Sequence, residues 1–341
     1  MTVRVGINGF GRIGRNFVRA ARKRGVDLTV VAVNDLTSAE VNAHLLERDS
    51  TYGRLDVDVH VADSTIVVGD DRMAVLSEAD PLRLPWGELG VEVVIESTGR
   101  FTTRAAAAAH LSGGAERVII SAPGKDVDAT FVVGVNDDAF DPERHQVVSN
   151  ASCTTNCFVP MVKVLDDAFG IETGLMTTVH AFTNDQRLLD LTHTDLRRAR
   201  AAPLNIIPTS TGAARATGLV LAAMQGRLDG SSLRVPVADG SITDFTCVVR
   251  GAVDAEAVNA AFERAAAEGP LARVLQFSRE PLVSSDIVGV PASCVFDAEL
   301  TMVQAIDGEK SLVKVFGWYD NEWGYANRLV DLSLIVASQA A

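Results

Sequence analysis

The sequence predicts an α/β chain of two domains: a doubly wound, mostly parallel sheet, then an α+β domain with a largely antiparallel sheet. Three observations carry this expectation. Short apolar strands alternate with helical stretches from Val3 to Ser149. A glycine-punctuated turn, Asn8 to Gly14, follows the first strand and opens the first helix. After Phe169 the pattern changes to alternating strands around one long polar stretch, Thr183 to Thr211. The boundaries read are 1–150 and 151–319, with a closing helix from about 320 to 341 returning to the first domain.

At 341 residues, 47% of them hydrophobic, the chain can bury two substantial cores. A formal charge of −13 argues against non-specific attraction to nucleic acid or anionic membrane, while leaving room for a local basic pocket. Four cysteines in so long a chain make no disulfide framework and point to a reducing compartment. Cys153 and Cys157 lack a nearby second Cys or His pair to complete a zinc set, so no metal is expected. The chain shows no signal-peptide pattern and no apolar run near the roughly 18 residues of a membrane span. A cytoplasmic protein without membrane or nucleic-acid partners is the expectation.

Val3 to Ile7 alternates like a strand, and Arg12 to Arg24 reads as an amphipathic helix. Between them Gly9, Gly11 and Gly14 fit G-x-G-x-x-G, a Rossmann-type signature. Gly9 permits a tight turn, Gly11 the close approach of a pyrophosphate, and Gly14 close helix–strand contact. A second strand, Thr29 to Val33, ends at Asn34 and Asp35. Asp35 stands 21 residues after Gly14, where a ribose-binding carboxylate belongs, and it favours NAD by repelling the 2′-phosphate of NADP. Ala39 to Arg48 reads as helix, and Thr65 to Val68 with Met73 to Leu76 as a hairpin. Val91 to Glu96 reads as a buried strand ending at a ligand lip, Ser97-Thr98-Gly99, and Ala105 to Ala109 as helix. Val118 to Ser121, Phe131 to Val135 and Gln146 to Ser149 are three further short strands.

The alternation ends at S-N-A-S-C-T-T-N-C, Ser149 to Cys157, followed by a helical segment to Phe169. Cys153 at this strand-to-helix junction fits either a thiol activated by a helix N-terminus or a buried small residue. Pro160 predicts a local irregularity near Asn156 to Pro160. The strand Gly174 to Val179 then delivers His180, 27 residues beyond the cysteine. A helix at Ala213 to Met224, strands near Leu233 to Val237 and Ile242 to Arg250, and a helix at Asp254 to Ala267 follow. Strands near Cys294 to Phe296, Leu300 to Ala305 and Ser311 to Trp318 complete the domain. A dinucleotide site, a placed thiol and a histidine together suggest thiolate attack on an aldehyde, hydride loss to nicotinamide and a thioester product.

The motifs N-G-F-G-R-I-G and A-S-C-T-T-N-C closely resemble those of the phosphorylating glyceraldehyde-3-phosphate dehydrogenases. The resemblance runs from Val3 to about Asp331. It includes T-V-H at Thr178, T-N-D-Q-R at Thr183, D-L-R-R-A-R-A-A at Asp195, T-G-A-A at Thr211, R-V-P at Arg234 and W-Y-D-N-E-W-G-Y at Trp318. It implies oxidation of glyceraldehyde 3-phosphate with inorganic phosphate to 1,3-bisphosphoglycerate, with Cys153 as nucleophile and His180 as its partner. It also implies that NAD is held by Arg12, Ile13, Asp35, Ser121 and Asn321, with Thr98, Gly99 and Phe101 lining the site. Thr183 and Arg234 match the pocket for the substrate's phosphate. Ser152, Thr154, Arg198, Thr211 and Gly212 match the pocket for inorganic phosphate. A homotetramer, and the name S-loop for Thr183 to Thr211, carry over as expectations.

Departures from the common family pattern are Ala79, Gly124, Phe182, Thr192, Ala238 and Asp239. Thr192 predicts some NADP use beside NAD. Three other readings stand beside the main one. They are an erythrose-4-phosphate dehydrogenase, an inhibitor-tolerant isozyme of the same activity, and a non-catalytic NAD-responsive binding role.

Overall fold

A computed structural model describes residues 2–338. The chain forms two compact units: residues up to Ser152 together with the chain from Tyr325 onward, and Cys153–Gly324.

In the first unit the elements run β1 (Val3–Asn8), α1 (Arg12–Arg24), β2 (Leu28–Asn34) and α2 (Ala39–Glu47), then the small hairpin β3 (Arg48–Asp49) and β4 (Gly53–Arg54). Next come β5 (Val59–Ala62), β6 (Thr65–Val68), β7 (Asp71–Leu76), β8 (Val93–Glu96), α3 (Arg104–Ala107) and α4 (Ala109–Ser112). β9 (Arg117–Ile120), β10 (Ala129–Thr130) and β11 (Val147–Ser149) close the series. The sheet order is β10-β11-β9-β8-β1-β2-β7-β6-β5. β1 pairs in parallel with both β2 and β8, so Asn8, Asn34 and Glu96 end their strands side by side. The strand interiors are apolar and fully buried, as with Val5 and Ile7, because central parallel strands are covered on both faces. α1 buries Phe17, Val18, Ala20 and Ala21. It ends on three basic residues and on Gly25 in the left-handed region, both favourable at a helix C-terminus.

The second unit opens with α5 (Cys153–Phe169) and β12 (Ile171–Ala181), followed by β13 (Ile207–Ser210), α6 (Ala213–Val220), β14 (Leu228–Val235) and β15 (Ser241–Arg250). α7 (Ala255–Ala267), β16 (Leu275–Ser278), α8 (Ser284–Ile287), β17 (Cys294–Asp297), β18 (Met302–Ala305) and β19 (Lys310–Tyr319) complete it. The sheet order is β13-β14-β12-β15-β19-β17-β16, with β18 on β19. β15 is antiparallel to both β12 and β19, whereas β14 runs parallel to β12. Residues of β15 from Ser241 to Val249 alternate between buried and half-buried, the mark of a sheet with one covered face. α5 packs on that face, with Phe158 edge-on to Phe245 at 4.8 Å between ring centroids. α9 (Trp323–Ser338) ends the described chain. From Tyr325 it belongs to the first unit, where Arg24 pairs with Asp331 at 2.6 Å. Of the closing helix read over 320–341, residues 339–341 lie outside the described residues.

Three expectations are corrected. Phe131 to Val135 is not a strand, because the side chains of Asn136 and Asp137 capture the N–H groups of Val132 and Gly134 and turn the chain. α5 continues through Pro160 without a break. The proline withholds one N–H from the ladder, and burial of Val159 and Met161 beside it holds the segment helical. The polar stretch from Thr183 is not loop to its end: it carries a 3-10 turn at Ala202–Leu204 and the strand β13, which pairs with β14.

Candidate active site

In the first unit a cavity of about 270 Å³ opens at the carboxyl ends of β1, β2 and β8. Asn8, Gly9, Gly11, Asn34, Asp35 and Thr98 line it, with Ala79 and Phe101 also in the wall. Gly9 has φ +92, and a Cβ there would lie 2.6 Å from the backbone nitrogen of Thr98. A Cβ on Gly14 would lie 2.5 Å from the carbonyl oxygen of Gly9, so helix and strand touch through that glycine. Gly11 instead faces open space, as a backbone that must admit a pyrophosphate requires. Asp35 is aimed by two backbone donors, Phe10 N–H at 2.9 Å and Thr37 N–H at 3.0 Å. A nucleotide with a diol ribose fits these residues: an oriented carboxylate, a glycine turn and the amino end of α1.

Not every residue assigned to the cofactor lies in this cavity wall. Arg12 and Ile13 sit in the first turn of α1, and the Arg12 guanidinium is bonded to buried Asp49 and lies over Tyr52. Against its burial, the N–H groups of Tyr52 and Thr51 and the charge of Arg12 hold the Asp49 carboxyl below its usual range. Gly99 takes φ +71 between Thr98 and Arg100, and Ser121 donates its N–H to Glu96 O. Beneath the cavity lies a buried polar cluster that the sequence reading missed. Glu96 accepts from Asn8 Nδ2, Thr98 N and Thr98 Oγ1, and faces His110 Nε2 at 2.9 Å. Its only signal in the sequence was a polar residue closing each apolar strand.

Cys153 is the first residue of α5. The turn before it is built by Ala151 at φ +55, whose N–H reaches Ser149 Oγ and whose carbonyl accepts from Tyr325 Oη; half-buried Ser152 follows. Within the second unit, Cys153 Sγ stands 3.4 Å from His180 Nε2. His180 comes from β12 and Arg234 from β14, and the parallel register pairs these two residues directly. Arg234 Nη1 carries two hydrogens and has two acceptors, Thr183 Oγ1 at 3.0 Å and Ala181 O at 3.1 Å. The 2.7 Å contact of His180 Nδ1 with Ala181 O therefore places the imidazole hydrogen on Nδ1. Nε2 is left as an acceptor facing the thiol.

Burial pushes the Cys153 thiol up to about 11, against the charge of Arg234 and hydrogen bonds from Thr154. Burial and then Arg234 push the His180 imidazole down to about 3. Neither group carries charge well alone; thiolate and imidazolium can form only by compensating each other.

Around this pair, Tyr319 Oη bridges Thr154 Oγ1 at 2.9 Å and Thr178 Oγ1 at 2.8 Å, and its ring stands edge-on to His180. Sequence reading missed Tyr319 as a site residue, although the W-Y-D-N motif contained it. Thr154 Oγ1 thus shares a hydrogen bond with Tyr319 Oη beside the Cys153 thiol. Arg198 donates to Thr209 Oγ1 through Nε and Nη2 and to Asp185 Oδ2 through Nη1 at 2.6 Å, and Asp185 also accepts from Thr183 Oγ1. Thr211 and Gly212 lead into α6, which packs on α5, and Thr211 Oγ1 accepts from Ala213 N. Asn321 Oδ1 accepts from Ser241 Oγ at 2.7 Å, and that hydroxyl oxygen accepts from Ala181 N. Asp239 is buried and hydrogen-bonded to Asp320, whose carboxyl is pushed up by burial.

Comparison with known proteins shows the family. Residues 3–104 match the glyceraldehyde 3-phosphate dehydrogenase NAD binding domain, and residues 152–321 match the C-terminal domain of the same family. The chain is 58% identical over 339 residues to a glyceraldehyde-3-phosphate dehydrogenase of Streptomyces coelicolor, covering 99% of this chain and 100% of that one. It is 56% identical to that of Geobacillus stearothermophilus, covering 99% of each, and 56% identical to that of Mycolicibacterium smegmatis, covering 98% and 99%. The chain belongs to the glyceraldehyde 3-phosphate dehydrogenase family of NAD-dependent oxidoreductases.

Proposed function

We propose that this chain oxidises D-glyceraldehyde 3-phosphate and transfers the acyl group to inorganic phosphate, giving 1,3-bisphosphoglycerate. The observation that carries the proposal is the 3.4 Å contact between Cys153 Sγ and an unprotonated His180 Nε2. Cys153 Sγ adds to the aldehyde carbon while its proton passes to His180 Nε2, so both charges appear together and offset each other's desolvation. His180 gives that proton to the developing alkoxide and takes it back as the hydroxyl is oxidised. Bound NAD supplies the hydride acceptor that turns the thiohemiacetal into a thioester.

Gly9, Gly11, the first turn of α1 and Asp35 would hold its pyrophosphate and ribose. Thr183 and Arg234 would hold the substrate's phosphate. Arg198, Thr211, Gly212 and Ser152 would hold the attacking phosphate, whose oxygen displaces the Cys153 thiolate, which recovers its proton from His180. Thr154, whose Oγ1 shares a hydrogen bond with Tyr319 Oη, would join this set.

Exposed Leu188, Leu189, Leu191 and Leu196, the last 81% accessible, support burial of this segment against further copies of the chain in a homotetramer. Four free cysteines support a cytoplasmic setting, and no helix among the described residues is long and apolar enough to cross a membrane. The test is NADH formation from glyceraldehyde 3-phosphate with inorganic phosphate varied. A saturating dependence on phosphate is expected; a rate indifferent to phosphate would mean that the acyl group goes to water.

A further inference from the structure

The two arginines assigned to anion binding are joined by one carboxylate that the proposed chemistry does not use. Asp185 Oδ1 accepts from Thr183 Oγ1, which itself accepts from Arg234 Nη1 at 3.0 Å. Asp185 Oδ2 accepts from Arg198 Nη1 at 2.6 Å. A single carboxylate therefore engages one donor of each proposed anion pocket.

Arg198 has a second acidic neighbour, Asp195, whose Oδ2 lies 3.6 Å from Nε. Asp195 Oδ1 also accepts from the backbone N–H of Arg197 at 2.9 Å, so Asp195 is fastened to the turn that carries Arg198. Asp185 has no such fastening of its carboxylate among the described contacts. Its side chain is 40% accessible, and both of its partners are groups that bind phosphate well.

We propose that Asp185 is an internal competitor for phosphate: it holds Thr183 until the substrate's phosphate takes that donor, and Arg198 until inorganic phosphate does. The inference rests on the proposed assignment of Thr183 and Arg198 to anion pockets. A phosphate dianion brings more charge and more acceptor oxygens than one carboxylate, so exchange favours the ligand. Charge competition of this kind weakens both anions' binding and hastens their release. Asp195 keeps Arg198 in place after the exchange.

The test compares the parent with Asp185→Asn and Asp185→Glu, all loaded with NAD. In steady-state assays Asp185→Asn should lower KM for inorganic phosphate and for glyceraldehyde 3-phosphate by about two- to fivefold, the strength of an exposed ion pair. Asp185→Glu should restore the parent values, and kcat should not fall in either variant. Binding of inorganic phosphate alone, followed by phosphorus NMR, should tighten in Asp185→Asn by the same factor. A rise in both KM values, no change in them, or no tightening of phosphate binding would overturn the proposal, since a merely positioning Asp185 predicts weaker binding on its loss. Absence of phosphate-dependent turnover in the parent would instead overturn the acyl-transfer reading, because the binding measurement stands apart from it.

Discussion

Two buried histidines in this molecule have opposite surroundings. His110, in the first unit, accepts from Trp86 Nε1 on Nδ1 at 3.0 Å, which leaves its hydrogen on Nε2 for Glu96 at 2.9 Å. Each nitrogen thus has a permanent polar partner, and the cluster ends at Thr98 under the cofactor cavity. His180, in the second unit, gives its Nδ1 hydrogen to Ala181 O and turns Nε2 to a thiol, with a guanidinium 3.0 Å from Nδ1. The first histidine is locked by a carboxylate; the second is denied one. On the proposed reading, burial alone does not fit a histidine to act as a base; the partner on its second nitrogen does.

The widest gap should open on turnover. His180→Gln is expected to lower kcat for NADH formation by about 10²- to 10⁴-fold, the usual worth of a general base. His110→Gln should act through folding and cofactor binding, leaving kcat of the saturated enzyme within a few-fold. Equal losses of kcat would erase the distinction between the two sites.

Next in size is stability. His110→Ala strips partners from Glu96 and Trp86 in the core and should cost about 3 kcal/mol in denaturant unfolding. His180→Gln should cost much less at pH 7.

A pH effect follows from the depressed His180 value. The unfolded imidazole binds a proton below its ordinary value near 6.5, while the folded one stays neutral down to about 3. The unfolded state thus holds the extra proton across that window, and stability falls as pH drops through it. The parent should therefore lose about 2 kcal/mol more than His180→Gln between pH 7 and pH 5. Identical pH dependence would remove the inferred burial of a neutral imidazole.

The smallest effect concerns the cofactor. Asp35→Ser should move the NAD-over-NADP ratio of kcat/KM by about tenfold toward NADP, the size of one lost charged contact. Thr192→Pro should leave that ratio unchanged or move it slightly toward NAD.

Much of the fold was legible because its periods are local. β2 is an apolar run, β15 and β19 alternate, and α1 ends on a glycine, so each segment states its own environment. Gly9 and Gly14 were legible for the same reason, since spacing along the chain carries their roles. The failures came where a side chain settled the backbone or the neighbour was distant in sequence. Phe131 to Val135 reads as a strand until Asn136 and Asp137 take its N–H groups. The pairing of Arg234 with His180 depends on the register of β12 with β14, which no local pattern reveals. Tyr319 and Asp185 were hidden likewise, because each matters through partners on other segments. Gly124, a departure from the family pattern, has a local cause: a Cβ there would lie 2.5 Å from Val127 Cγ1. Nothing in the structure explains Phe182.

The central claim is that His180 makes Cys153 reactive. The most direct test is the rate of Cys153 alkylation by iodoacetamide as a function of pH, in the parent and in His180→Gln. Without its partner the buried thiol has no base beside it to take its proton, so alkylation at pH 7 should fall by about 10²-fold or more and climb steadily into the alkaline range. Parent and variant reacting at the same rate, with the same pH profile, would contradict the account.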